Sequence, residues 1–450
     1  MSENLTKQYE NYAKYLPSLQ QNYSRFAAGS NTDVQRNNYQ IPNNFQVSHL
    51  DFLKKNSKLW HCGYALYSAG QFPTELIKTK DIIGQRAEGD SIILGDSGGF
   101  QLGTGKIRNS ADQRHLDQFK NDPDMQFSQW QECGFTERAL NWLDTYADYS
   151  MTLDMVLWAK FRPESQLHKL SIEQLIKLSV QNLEFFDTHR SRYGRHTKFL
   201  NVVQDVGVVD GVDTFELWYK AVKGFDFEGW SLVGGKTNLF PPVKKLRRLL
   251  DDKMLDKSEW IHILAKSPPL NSIVFSAAQK TLRRLLHTDI TISYDSSSPH
   301  QSAGKQRAFA LKPEFSKDIN SWQFGQFKLS DDYRVATGQV ASQFHFDTPL
   351  SKFFNMSDMF AHTTKNSDSF VDSFTEHLMV NHNIYTYHKA AIGACDLIYH
   401  PTKKDHSKVP DAMLEVADLV NEYLTTETPV TTEIKLVDAL IRIGSTDETQ

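Results

Sequence analysis

Cysteine is nearly missing from this 450-residue chain: Cys62, Cys133 and Cys395 are all there is, too few and too scattered for a disulfide framework. No run of about 18 apolar residues occurs, which excludes an apolar membrane-spanning helix. The first thirty residues lack the basic-then-apolar layout of a secretory leader, so the expected compartment is the reducing cytoplasm. Charge of one sign is also lacking. Fifty Lys and Arg face 54 Asp and Glu, a formal net charge of -4, so any nucleic-acid surface must come from local clustering.

Three basic stretches qualify: Lys244 to Arg248, Lys280 to Arg284, and Lys305 to Arg307. The first two run into the string LRRLL, whose leucines fit one helical stripe, and they read as solvated helix faces. Lys305 and Arg307 remain as candidate nucleic-acid contacts.

Short apolar or β-branched runs recur, each ending in a polar or glycine-rich turn. They are Ser91 to Leu94, Tyr149 to Leu153, Phe199 to Val203, Trp230 to Val233, Trp260 to Leu264 and Ile290 to Tyr294. Helical-period stretches lie between most of them, at 172–186, 213–222, 242–250 and 273–286. Strand and helix alternating at about thirty-residue spacing describes repeated βα units. The chemically useful residue stands just past each strand, which favours a closed barrel, where all such ends meet at one mouth. The expected fold is therefore α/β, a TIM (β/α)8 barrel. Residues 62–67 supply a seventh strand, and no eighth is legible. Residues 1–45 read as an N-terminal arm with a weak helical pattern at 5–16, and 46–310 as the barrel. Residues 311–400 read as a mostly helical C-terminal subdomain, and 401–450 as a helical tail.

Two carboxylates stand out. Asp96-Ser97-Gly98-Gly99-Phe100-Gln101 puts an acid and a hydroxyl on a tight turn whose glycines admit a flat ligand. A helix N-cap explains the same residues equally well. Ser293-Tyr294-Asp295-Ser296 puts a second acid at another strand end. Two carboxylates at one mouth suit a retaining glycosyl exchange, and an Asx-turn is again the plain alternative.

DSGGFQ at a strand end resembles the hallmark of the tRNA-guanine transglycosylase family, and further pieces follow in that family's order. These are Val203-Gln204, Leu232-Val233-Gly234-Gly235, Ile263-Leu264-Ala265, Tyr294-Asp295-Ser296 and Asn381-His382-Asn383-Ile384-Tyr385. The resemblance spans roughly residues 90 to 390. It implies Asp295 as the nucleophile on the target nucleotide's C1′ and Asp96 as the general base for the incoming 7-deazaguanine. It also implies that Asp154, Gln204, Gly234 and Gly235, with Ser97 nearby, read the base edge, and that Phe100 and Leu264 sandwich the ring.

Two departures stand against this. The family's structural zinc is held by three cysteines and a histidine, but no cysteine lies between Asp295 and His382. A substitute set would be His345, Asp347, His377 and His382. Asp205-Val206-Gly207 stands where the family has Gly-Gly after the glutamine. In these respects the chain is more similar to the DNA-guanine transglycosylases of phages and bacterial modification clusters, which start from 7-cyano-7-deazaguanine. DNA is then the expected partner, in a host cytoplasm if the protein is phage-encoded. A tRNA enzyme of the queuosine or archaeosine type and a catalytically silent binding relative are the alternatives. The chemistry requires no cofactor, zinc stays an open structural question, and so does a homodimer or a helicase-type partner.

Overall fold

A computed structural model describes residues 2–29, 41–71, 80–105, 122, 124–125, 130, 134–165, 167–193, 197–233, 237–329, 343–359 and 371–444. Eight parallel strands close into a barrel in sequence order: β1 (Lys14–Leu19), β2 (Tyr64–Ser68), β3 (Ile92–Asp96), β4 (Tyr149–Met151), β5 (Lys198–Val203), β6 (Gly229–Leu232), β7 (Trp260–Ile263) and β8 (Thr291–Ser296). β8 closes on β1, with Asp295 opposite Leu16 and Ser296 opposite Pro17.

The eighth strand is thus Lys14–Leu19, inside the segment expected to be a separate arm with a helical pattern. Two features hid it. Lys14 opens the strand yet is buried, its ammonium donating to the carbonyls of Tyr9, Glu10 and Tyr12. Pro17 lacks an N–H and normally argues against a central strand. The residues before it join the barrel too: Glu3–Asn4 pairs with Trp60–His61, and Thr6 Oγ1 accepts from Gly63 N at 2.8 Å.

The four helices expected at 172–186, 213–222, 242–250 and 273–286 are present, and four further barrel helices carried no legible period. α1 (Gln21–Ala27) follows β1, α2 (Gly99–Gly103) follows β3, and α3 (Phe135–Tyr146) precedes β4. α4 (Ile172–His189), α5 (Thr214–Val222), α6 (Phe240–Asp251), α7 (Leu270–Leu286) and α8 (Ser298–Gly304) follow β4 to β8 in turn. A capping box starts α4, with Gln174 N on Ser171 Oγ at 3.1 Å and Ser171 N on Gln174 Oε1 at 2.9 Å.

After α8 the rhythm stops. A hairpin (Ala308–Leu311 with Gly325–Lys328) leads to a long helix, α9 (Ser373–Tyr399), and then to α10 (Asp411–Thr425) and α11 (Val430–Arg442). The Asn381-His382-Asn383 segment rivets α9 in place. Asn381 takes the Trp60 indole at 3.0 Å and donates to Tyr23 Oη at 2.8 Å. Asn383 receives Ala310 N at 2.7 Å and donates to Ala308 O at 3.1 Å. No described helix is long and apolar enough to cross a membrane.

Side chains along each strand alternate between the barrel lumen and the helix layer. Leu16, Leu66, Leu94, Met151, Leu200, Val202 and Trp260 form the apolar plug of the lumen. Moving two residues toward the strand ends, the same alternation delivers Ser18, Ser68, Asp96, Gln204 and His262 to the layer above it. Ser293 and Asp295 join that layer from β8. The mouth is polar because the register puts polar residues there.

Candidate active site

Asp295 sits at the end of β8 on the seam with β1, 8% exposed. Its Oδ2 accepts from Ser18 Oγ of β1 at 2.5 Å. Its Oδ1 accepts from Ala265 N at 2.9 Å and lies 3.3 Å from His262 Nε2. Ala265 holds a left-handed backbone, φ 58°, that turns its N–H onto the carboxylate. Burial pushes the Asp295 carboxyl up, but His262, Ser18 and Ala265 together outweigh that and hold it below its ordinary value. Asp295 is ionised at neutral pH.

Two other carboxyls at the mouth are shifted the opposite way. Burial raises Asp96, and the charge of Asp295 adds to it, against the pull of Ser68 and the Gly98 N–H. Burial raises Asp154 to about 7, with Asp96 contributing, although Gln204 pulls it down. One ionised carboxylate facing two that retain protons more readily is the division that acid–base and nucleophilic work requires.

The glycine turn explains itself sterically. Gly98 adopts φ 96°, and a Cβ there would meet Gly70 Cα at 2.9 Å. A Cβ on Gly99 would meet Asp154 O at 2.8 Å and Asp154 Oδ1 at 2.9 Å, so the glycine makes room for that carboxylate. The Gln204 amide donates to Asp154 Oδ2. Gln204 Oε1 and Ser97 Oγ are buried without a hydrogen-bond partner among the described residues, as expected of groups aimed at a ligand. Phe100 is 60% exposed beside Trp158, ring centroids 5.7 Å apart. Leu264 packs on top of the lumen plug. Asp96, Ser97, Asp154, Gln204 and Asp295 therefore come together; Gly234 and Gly235 lie outside the described residues.

Other expected residues are not gathered. Lys305 and Arg307 are exposed at the far end of α8, roughly 10 Å of helix from the strand end. Among the described residues no three of His, Cys, Asp or Glu converge as metal ligands, so His345, Asp347, His377 and His382 do not form the substitute zinc set. His382 Nε2 is taken by Ala310 O at 2.8 Å and its ring packs against Phe309 and Phe346. His377 stacks on Phe26, and His345 meets Phe327 edge-on. Aromatic packing occupies the space that ligands would need.

The solvated-face reading of 244–248 also fails at two residues. Lys245 is 2% exposed and pairs with Asp205 Oδ2 at 2.8 Å while donating to Val233 O. With Val233 O, the pair bridges the ends of β5 and β6 and ties down the turn after Gln204. Arg247 instead reaches Tyr423 O at 2.8 Å and Thr426 O at 2.6 Å, docking the end of α10.

A cleft of about 640 Å³ opens at the opposite end of the barrel, lined by the starts of β2 to β5. Lys55 there pairs with Asp90 at 3.5 Å, and Lys198 pairs with Glu259. None of the three shifted carboxyls lines it.

Sequence reasoning missed Ser18, because its strand was unrecognised, and His262, because a lone histidine in a β-run carries no signal of its own. No family model, curated protein or solved structure gives a match to the chain.

Proposed function

We propose that this chain is a base-exchanging transglycosylase that replaces guanine in DNA with a 7-deazaguanine such as 7-cyano-7-deazaguanine. The observation that carries the reading is the division of labour at the mouth: Asp295 held ionised, Asp96 and Asp154 raised, all on barrel strand ends. Asp295 attacks C1′ of a flipped-out nucleotide; the C1′–N9 bond breaks, its electron pair goes to the purine, and Asp96 in its acid form supplies the proton. The incoming base gives its N9 proton to Asp96, bonds to C1′ and displaces Asp295, regenerating both carboxyls. Asp154 accepts from the N–H and amino edge of the base, and the second N–H of the Gln204 amide, whose first is held by Asp154, donates to its carbonyl. Phe100 supplies an aromatic face for stacking.

The sequence departures, the missing cysteines and the rewritten turn after Gln204, support DNA over tRNA. The hairpin and α9 stand where the family places its zinc subdomain. Here aromatic packing holds that region together, and no step runs through a metal.

Purified protein is incubated with radiolabelled guanine and, separately, with duplex DNA, single-stranded DNA or bulk tRNA. Label retained in DNA and absent from tRNA is the expected result. Label in tRNA alone overturns the DNA assignment, and label in none overturns the exchange reading for the isolated chain.

A pH dependence follows from Asp154. The base edge needs the ionised carboxylate, whose pKa is raised to about 7. Binding is therefore strongest above pH 7, and affinity falls by about tenfold per pH unit below it, since proton and base compete for one site. Calorimetry with guanine between pH 5.5 and 8.5 checks this; Asp154→Asn binds weakly with a flat profile.

A further inference from the structure

The lumen contains a hydrogen-bond chain whose first bond has a fixed direction. The Trp260 indole N–H can only donate, and it donates to Ser293 Oγ at 2.6 Å. The Ser293 hydroxyl proton then has two acceptors, His262 Nδ1 at 2.9 Å and Ile261 O at 3.5 Å, and the first has the better distance. With Nδ1 accepting, the His262 proton resides on Nε2, which faces Asp295 Oδ1. His262 is 0% exposed and Trp260 is 3% exposed, so water does not compete for these bonds.

Oδ1 thus has both its in-plane lone pairs engaged, one by His262 and one by Ala265 N, while Oδ2 has only Ser18. We propose that His262, oriented by Trp260 and Ser293, is a positioning residue that commits Oδ1 of Asp295 and leaves Oδ2 as the oxygen that bonds to C1′. This rests on the transglycosylase reading given above. In the attack, an Oδ2 lone pair forms the C1′–O bond as the C1′–N9 pair leaves with the purine. Oδ1 becomes the ester carbonyl and keeps both donors. When the new base displaces the ester, the electron pair of the C1′–Oδ2 bond returns to the carboxylate, and the same two donors receive the charge. No proton passes through His262, which acts as a directed donor.

Nitrogen-15 NMR of histidine-labelled protein, with His262→Gln identifying the signals, reads the tautomer. A protonated Nε2 and bare Nδ1 in the wild type, lost in Ser293→Ala, are expected; a protonated Nδ1 in the wild type overturns the proposal. In the label-exchange assay, His262→Leu should lower kcat by about 10- to 100-fold with KM for the base little changed, and the carbon-13 titration of Asp295 should move to higher pH than in the wild type. His262→Gln, whose amide nitrogen reaches the Nε2 position, should recover most of the rate. An unmoved Asp295 titration in His262→Leu, or a glutamine variant as slow as the leucine one, sinks the idea. If His262→Leu does not fold, the tautomer of the wild type and of Ser293→Ala decides. If the wild type transfers no label, the transglycosylase reading fails, while the tautomer and the carbon-13 titration of Asp295 in wild type and His262→Gln still test the donor arrangement.

Discussion

Asp295→Asn lowers base exchange by roughly 10⁴-fold or more while the chain still folds and still binds the base. Asparagine keeps the shape of aspartate, and its amide oxygen can take the Ala265 N–H and the His262 donor. Its amide NH₂ then faces Ser18, whose hydroxyl rotates to accept. On the transglycosylase reading proposed above, what is lost is the nucleophile, so the sugar–enzyme ester cannot form. A denaturing gel of protein trapped with an oligonucleotide should show a slow band for the wild type and none for the variant. A persistent adduct would falsify the nucleophile assignment and direct attention to Asp96. Removing the Asp295 charge has a second consequence: it deletes a cause of the raised Asp96 pKa, so Asp96 in the variant titrates lower than in the wild type.

Gly229→Ala costs about 3 kcal/mol or more of stability, the largest effect expected from adding one methyl group to this chain. Gly229 opens β6 and is buried opposite Trp260 of β7 and Leu200 of β5. A Cβ there would lie 1.9 Å from Trp260 O and 2.9 Å from a Leu200 methyl. The carbonyl belongs to the neighbouring strand and cannot swing aside, so relief requires prying β6 from β7. Urea unfolding followed by tryptophan fluorescence measures the loss; a midpoint equal to the wild type's would show that the ladder yields more easily than this geometry implies. Gly99→Ala is the contrasting case, because the crowded atoms there belong to Asp154, and base binding suffers before stability does.

Much of this architecture was legible because period carries position. Six runs from Ser91 onward read as strands from β-branched content and a following turn, and all six are barrel strands with ends within two residues of expectation. Asp96, Asp154, Gln204 and Asp295 were readable for the same reason: each stands just beyond or at the end of such a run. The failures share a different cause, which is that they depend on partners far along the chain. Lys245 falls on the helical stripe beside solvated neighbours, and only Asp205, forty positions earlier, makes its burial tolerable. His262 gains meaning only from Asp295 and Ser293 on the next strand. Lys14 and Pro17 disguised β1, because the carbonyls that satisfy the ammonium come from a local turn with no sequence signature.

The seam between β1 and β8 joins the two ends of the barrel sequence, and the hydroxyl of Ser18 meets the carboxylate of Asp295 across it, 277 residues apart. During synthesis the first strand must therefore wait, unpaired on that edge, until nearly 300 residues have left the ribosome. Contacts so distant along the chain form late and slowly. Ring closure and completion of the nucleophile's surroundings are consequently one event. Any shorter nascent chain lacks both.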